Sequence, residues 1–159
     1  MSTLRRGIEA EARVLAALVE RDLLVLLPFG DGHPYDLLVD LDRDFLRVQC
    51  KCSRLYEGCV VFNSRSTDHG LGPRDYRGIA DLFGVYFPPT GDVFLVPVDD
   101  APTRAGRLRL TAVRNNQKAR VRMAADYAIE RWTFDDLAAL AAQPVRSRTR
   151  LPPAVASRP

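Results

Sequence analysis

From Leu46 to Cys52 the run Leu-Arg-Val-Gln-Cys-Lys-Cys alternates apolar and polar side chains without a break. Such alternation marks a strand with one buried and one polar face. Leu46, Val48, Cys50 and Cys52 therefore belong to one side, and Arg47, Gln49 and Lys51 to the other. A chain carrying this segment needs a sheet for it to join and a layer to cover its apolar side. Residues 3 to 21 offer the layer: Leu4, Ile8, Leu15 and Leu18 recur at helical spacing, with Thr3 as a cap, which predicts an amphipathic helix. The runs LLVLLPF from residue 23, YDLLVD, FLRVQCKC and CVVFN offer the sheet, as four strands in a meander separated by Asp, Gly and Pro clusters. LFGVYF at 82–87 and VFLVPV at 93–98 flank the turn PPTGD and predict a fifth and sixth strand in a hairpin.

A second, shorter helix is predicted from Thr133 to about Ala142, with Phe134, Leu137 and Leu140 on one face and Asp135 and Asp136 near its positive end. Residues 64 to 81 are polar and punctuated by Gly70, Gly72, Pro73 and Gly78, an unusually long connection that reads as a substrate-facing loop. From Pro144 onward the chain has four Arg, four Pro and no acid, so residues 144–159 are expected to be a disordered basic tail beside one domain over residues 1–143. At 159 residues the chain is long enough for one core and short for two.

Several function classes fall away. No apolar run approaches the roughly 18 to 20 residues that span a bilayer, and no secretory signal pattern opens the chain. Three cysteines cannot all pair within one molecule, so the cytoplasm is the expected compartment. Cys50-x-Cys52 lies within a strand and lacks a C-x₂-C partner, and both sulfurs fall on the apolar face; with Cys59 they read as buried thiols and not as a zinc site. His33 and His69 sit in Gly-rich loops and receive no role.

The polar face of the alternating strand has chemical content. In Pro34-Tyr35-Asp36-Leu37-Leu38-Val39, alternation sends Tyr35, Leu37 and Val39 one way and Asp36 the other. If that strand pairs antiparallel with 45–52 through the turn near Asp42 to Asp44, Asp36 comes close to Gln49 and Lys51. A carboxylate that holds Mg²⁺, an amide oxygen and an amine form a set suited to phosphodiester hydrolysis. Glu11, on or beside the buried side of the first helix, is a fourth member. Of 23 basic residues only Lys51 and Lys118 are lysines, so a lysine at 51 goes against the usage of the chain and fits a need for a compact ammonium.

The motifs P-Y-D-L at 34–37 and Q-C-K at 49–51 resemble the PD-(D/E)XK nuclease signature, with Gln in the (D/E) position. G-I-E-A-E-A at 7–12, LLPFGDGHPYDLLVD, RVQCKCSRL, VVFNSRS, the segment Tyr76-Arg77-Gly78 to Asp81 and YFPPTGDVFLVPVDD extend the resemblance over about residues 3 to 128. They are similar to the branch that contains a bacterial homing endonuclease encoded in a group I intron. The resemblance implies a restriction-endonuclease-like α/β core, a mixed central sheet flanked by helices with the site at one sheet edge. It implies Mg²⁺, with Mn²⁺ as a substitute, held by Asp36, Glu11 and the backbone carbonyl of Cys50. Gln49 would take the second acidic place and Lys51 would be the catalytic amine.

The implied substrate is double-stranded DNA, cut by a metal-dependent endodeoxyribonuclease of the site-specific homing kind. Because one small domain holds one site, cutting both strands implies a homo-oligomer, a dimer or tetramer. A restriction, repair or junction-resolving nuclease of the same fold stays open, as does a DNA-binding module whose hydrolysis has lapsed at Gln49. Between Ala101 and Ala125 there are seven basic residues and no acid: Arg104, Arg107, Arg109, Arg114, Lys118, Arg120 and Arg122. With Arg65, Arg74 and Arg77 in the long connection, they are the expected phosphate and base contacts.

Overall fold

The computed structural model describes residues 2–30, 32–66, 75–111 and 121–143. A first helix, α1 (Thr3–Val19), is followed by β1 (Leu24–Leu26), β2 (Leu37–Asp40), β3 (Phe45–Cys52), β4 (Arg54–Tyr56), β5 (Cys59–Asn63), β6 (Leu82–Phe87) and β7 (Asp92–Pro97). A 3₁₀ turn at Val98–Asp100 leads to β8 (Ala105–Arg109), α2 (Ala124–Tyr127), a second 3₁₀ turn at Ile129–Arg131 and α3 (Phe134–Ala141). None of the described helices is long and apolar enough to cross a membrane. The tail beyond residue 143, and the expectation of disorder placed on it, lie outside the described residues.

Five strands form a mixed sheet in the order β1-β2-β3-β6-β7. β1, β2 and β3 are successive antiparallel neighbours, while β3 and β6 run parallel, with Val48 opposite Leu82 and Cys52 opposite Tyr86. β6 and β7 make the expected hairpin. All six residues of β6 are buried, the pattern of a strand covered on both faces. The meander of four strands stops at three. β5 leaves for a second, three-stranded antiparallel sheet with β4 and β8, and β8, which the sequence patterning did not predict, carries part of the basic run.

α1 covers one face of the large sheet and the small sheet covers the other. The helix side holds Ala10, Val14, Leu18, Leu37, Val39, Leu46, Val48, Leu82 and Leu95. The opposite side holds Val60, Phe62, Tyr76, Phe83, Val85, Phe87 and Leu108. α1 is capped by Ser2, not Thr3, the Ser2 side chain accepting the Arg5 N–H. Its buried stripe is Ala10, Val14 and Leu18, with Leu15 half-buried. Leu4 and Ile8, expected in that stripe, are exposed, burial along the helix beginning only at Ala10. Gly84 explains how closely the helix approaches: a Cβ there would stand 2.5 Å from Val14 Cγ1 and 3.1 Å from Val48 Cγ1.

α3 forms as expected, its Thr133 cap locked by a reciprocal hydrogen-bond pair with Asp136. Leu137 is buried and Leu140 packs on the core, but Phe134 is exposed.

Candidate active site

β3 outruns β2. Register pairs Leu37 with Val48, so Asp36, just before β2, lies level with Gln49 while β3 continues to Cys52. The Asp36 N–H donates to the Val48 carbonyl at 2.9 Å, which draws the backbone of Asp36 onto β3. Past that point the β2 side of β3 has no strand partner among the described residues, and the Asp36 carboxylate takes over. Its Oδ2 accepts the Cys50 N–H and the Gln49 Nε2, each at 2.6 Å. Among the described residues its Oδ1 accepts no hydrogen bond and is free for another ligand.

Burial raises the Asp36 pKa, and the Cys50 N–H, the charge of Lys51 and the Gln49 amide oppose that rise without cancelling it. The Glu11 pKa is raised as well, by burial and then by repulsion from Asp36, which brings the α1 acid into the same electrostatic neighbourhood. The Cys50 thiol is pushed up by burial and by both carboxylates, so it is a neutral hydrophobe beneath the helix. Cys52, also raised by burial, and Cys59 are free and half-buried.

Lys51 shares its face of β3 with Gln49, as alternation requires. Its Nζ donates to the Tyr76 hydroxyl at 3.0 Å. Arg47, next along that face, is committed to structure. Its Nε and Nη2 meet the two Asp81 carboxylate oxygens at 3.0 and 2.8 Å, and its Nη1 donates to the Gly78 carbonyl at 3.0 Å. Tyr76 has no place in the PD...QxK pattern; its signal in the sequence is an aromatic directly before Arg77-Gly78 at the end of the long polar connection.

The site thus gathers Glu11 from α1, Asp36 from the entry to β2, and Gln49, the Cys50 backbone and Lys51 from β3. It does not lie at a sheet edge: β3 is the central strand of the five. Two carboxylates whose ionisation is disfavoured by burial, and at Glu11 also by the charge of Asp36, beside amide and backbone oxygens, fit a hard divalent cation. Among the described residues no three His, Cys, Asp or Glu side chains cluster as a metal site, so such an ion would need the Gln49 and backbone oxygens to complete its shell.

The basic residues are less uniform than their sequence run suggests. Arg77 is bound to Asp75 at 2.6 Å, to Asp99 at 3.6 Å and to the Ala101 carbonyl at 2.9 Å. Arg65 Nε donates to the Thr103 carbonyl at 3.0 Å. Arg104 is exposed, and Arg122 is half-buried, its carbonyl accepting the Arg109 N–H at 2.8 Å. Arg74, Arg114, Lys118, Arg120 and His69 lie outside the described residues. On the small sheet, register lines up Arg54, Val61 and Arg107 across three strands, with Tyr56, Cys59 and Arg109 in the next row. Val60, Phe62 and Leu108 fill the opposite, buried face. Arg107 lies over the Tyr56 ring at 5.5 Å and 3.6 Å from Glu57. Arg54 and Tyr56 join this surface only through the β4–β5 pairing; their one local trace is the i, i+2 spacing after Ser53.

The profile of the PD-(D/E)XK endonucleases matches residues 1–130. No curated protein matches. Among solved structures, a bacterial homing endonuclease, I-Ssp6803I, is similar at 25% identity and a TM-score of 0.60, over 81% of this chain and 88% of that one.

Proposed function

This chain belongs to the PD-(D/E)XK endonuclease family, and from that premise we propose that it hydrolyses phosphodiester bonds of double-stranded DNA at the Glu11–Asp36–Gln49–Lys51 site. One observation supports the reading: Gln49 is hydrogen-bonded to Asp36 at the open end of β2, within reach of the Lys51 charge, and the Asp36 charge is felt in turn at Glu11 on α1. Asp36, through its free Oδ1, Glu11 and the Cys50 carbonyl would hold Mg²⁺, or Mn²⁺ in its place, with Gln49 Oε1 in the position usually taken by an acid. The cation supplies neutralisation of charge on the phosphate oxygens. Lys51 directs its remaining N–H donors at the attacking water or the developing charge. Gln49, by donating to Asp36 Oδ2, fixes how that carboxylate faces the substrate.

The likeness to a homing endonuclease supports site-specific cutting, and the exposed row Arg54–Arg107 with Arg109, Arg104, Arg65 and Arg122 supports contact with the DNA backbone. Arg77, tied into its own ion pairs, is expected to contribute less. One site per chain implies that a homo-oligomer cuts both strands. Exposed Leu24, Leu26 and Phe45, on the face of β1–β2–β3 away from α1, support such assembly.

A second reading rests on Gln49, an uncharged ligand already hydrogen-bonded to Asp36: a DNA-binding module with lapsed hydrolysis. The test is to incubate a pool of plasmids carrying randomised inserts with the protein and Mg²⁺ or Mn²⁺, beside Lys51→Ala. Cleavage that falls by about a hundredfold or more in the variant, with DNA binding retained, is the expected result. Equal inactivity of both proteins with intact binding favours the module.

A further inference from the structure

Lys51 rests on an aromatic residue, not on an acid. Its Nζ donates to the Tyr76 hydroxyl at 3.0 Å and also stands 4.4 Å from the centre of the same ring. One side chain therefore holds the ammonium through an oxygen lone pair and through a π face. Tyr76 is only 7% exposed. Its ring meets Phe83 edge-on, with centroids 5.4 Å apart and planes at 86°, and Phe83 meets Phe62 in the same manner at 5.6 Å.

The backbone beneath Tyr76 is held as firmly as its ring. The Tyr76 carbonyl accepts the N–H groups of Ile79 and Ala80, both at 2.9 Å. The turn that follows is bound to β3 by Arg47, through the Gly78 carbonyl and the Asp81 carboxylate. The Asp81 N–H in turn donates to the Arg47 carbonyl at 2.8 Å. Tyr76 is thus referenced, ring and backbone, to the strand that carries Lys51.

We propose that Tyr76 is the positioning residue of the Lys51 amine, an inference that rests on the nuclease reading above. A lysine has a flexible four-carbon stem and three rotatable donors, so an amine that must meet a reacting phosphate needs an external constraint. The hydroxyl takes one donor and the ring limits where the nitrogen can swing, leaving the other two donors for substrate and water. A phenylalanine would fill the same space in the core and keep the ring's hold on the amine but lose that of the hydroxyl, and a leucine would lose both.

The experiment measures single-turnover cleavage, enzyme in excess over the plasmid pool, with DNA affinity and melting temperature for each protein. Tyr76→Phe keeps the ring and its Phe83 contact and loses only the oxygen; Tyr76→Leu loses both holds on the amine. Cleavage is expected to slow about tenfold in the first and about a hundredfold in the second, with DNA affinity within about twofold of wild type in both. Tyr76→Phe is also expected to melt where the wild type does. Wild-type cleavage by Tyr76→Phe, or a loss that only follows DNA affinity or folded fraction, overturns the proposal while leaving the nuclease reading intact. A wild-type chain that binds DNA and never cuts it overturns both.

Discussion

The Gln49 side-chain amide donates to Asp36 Oδ2 at 2.6 Å, across the gap that β2 leaves beside β3. The Cys50 N–H reaches the same oxygen, so one half of the carboxylate is saturated by the protein while the other accepts no hydrogen bond among the described residues. Charge on this carboxylate is useful to the site and unfavourable to the fold, and the two effects are separable.

Burial holds the Asp36 pKa above its ordinary value of about 3.9, so the folded chain binds a proton there more readily than the unfolded chain does. The stabilising contribution of the protonated group is therefore full below the unfolded value and is lost as pH rises through the raised folded value. Asp36→Asn is expected to raise the melting temperature at pH 7 in chelator by about 2–4 °C, what about 1 kcal/mol gives at this chain length. The gain should vanish near pH 3, and cleavage should be abolished. Melting curves at both pH values, with and without divalent ion, check this.

Gln49→Glu places a third negative group beside Asp36 and Glu11. The metal-free fold is expected to lose stability, as like charges crowd a desolvated site. In exchange, the Mg²⁺ concentration for half-maximal cleavage is expected to fall by about tenfold, roughly 1.4 kcal/mol of binding. An unchanged Mg²⁺ midpoint would show that position 49 does not face the ion.

Gly84→Ala pushes a methyl group into Val14, which sits one turn after Glu11 on α1. The cost is expected to be about 1–3 kcal/mol in denaturant unfolding, with slower cleavage as the helix acid is displaced. Adding Val14→Ala should restore part of both, and a double-mutant cycle measures the coupling.

Arg107→Ala and Arg77→Ala separate a loosely held guanidinium from a committed one. Among the described residues Arg107 lies over Tyr56 and 3.6 Å from Glu57, whereas Arg77 is bound by Asp75, Asp99 and a carbonyl. Losing Arg107 is expected to lower the slope of log affinity for DNA against log salt by about one unit, and losing Arg77 by clearly less. Titrations at several salt concentrations decide.

Local pattern made much of this fold legible. Alternation from Leu46 to Cys52 was enough to divide β3 into a core face and a chemical face, and the PPTGD turn with its flanking apolar runs was enough for the β6–β7 hairpin. What local pattern cannot carry is pairing between distant segments. Nothing around Val48 announces that its parallel neighbour is Leu82, and nothing in CVVFN distinguishes a fourth meander strand from the centre of a second sheet. Leu4 and Ile8 mislead for a related reason: helical spacing reveals a stripe, but which part of the stripe meets the sheet depends on strands distant in the chain, and here burial starts at Ala10. At the site, motif spacing brought Asp36, Gln49 and Lys51 together, while Tyr76 required the tertiary turn pinned by Arg47 and Asp81.

β3 is flanked by β2 as far as Val48, and its last four residues, Gln49 to Cys52, remain paired to β6 after β2 has ended. Amides of β3 that donate to β6, a strand buried at every residue, are expected to be among the slowest of the domain to exchange with solvent. Gln49 and Lys51 ride on this pairing, and on warming the capacity to cut is expected to persist until cooperative melting, with no earlier inactivation from fraying.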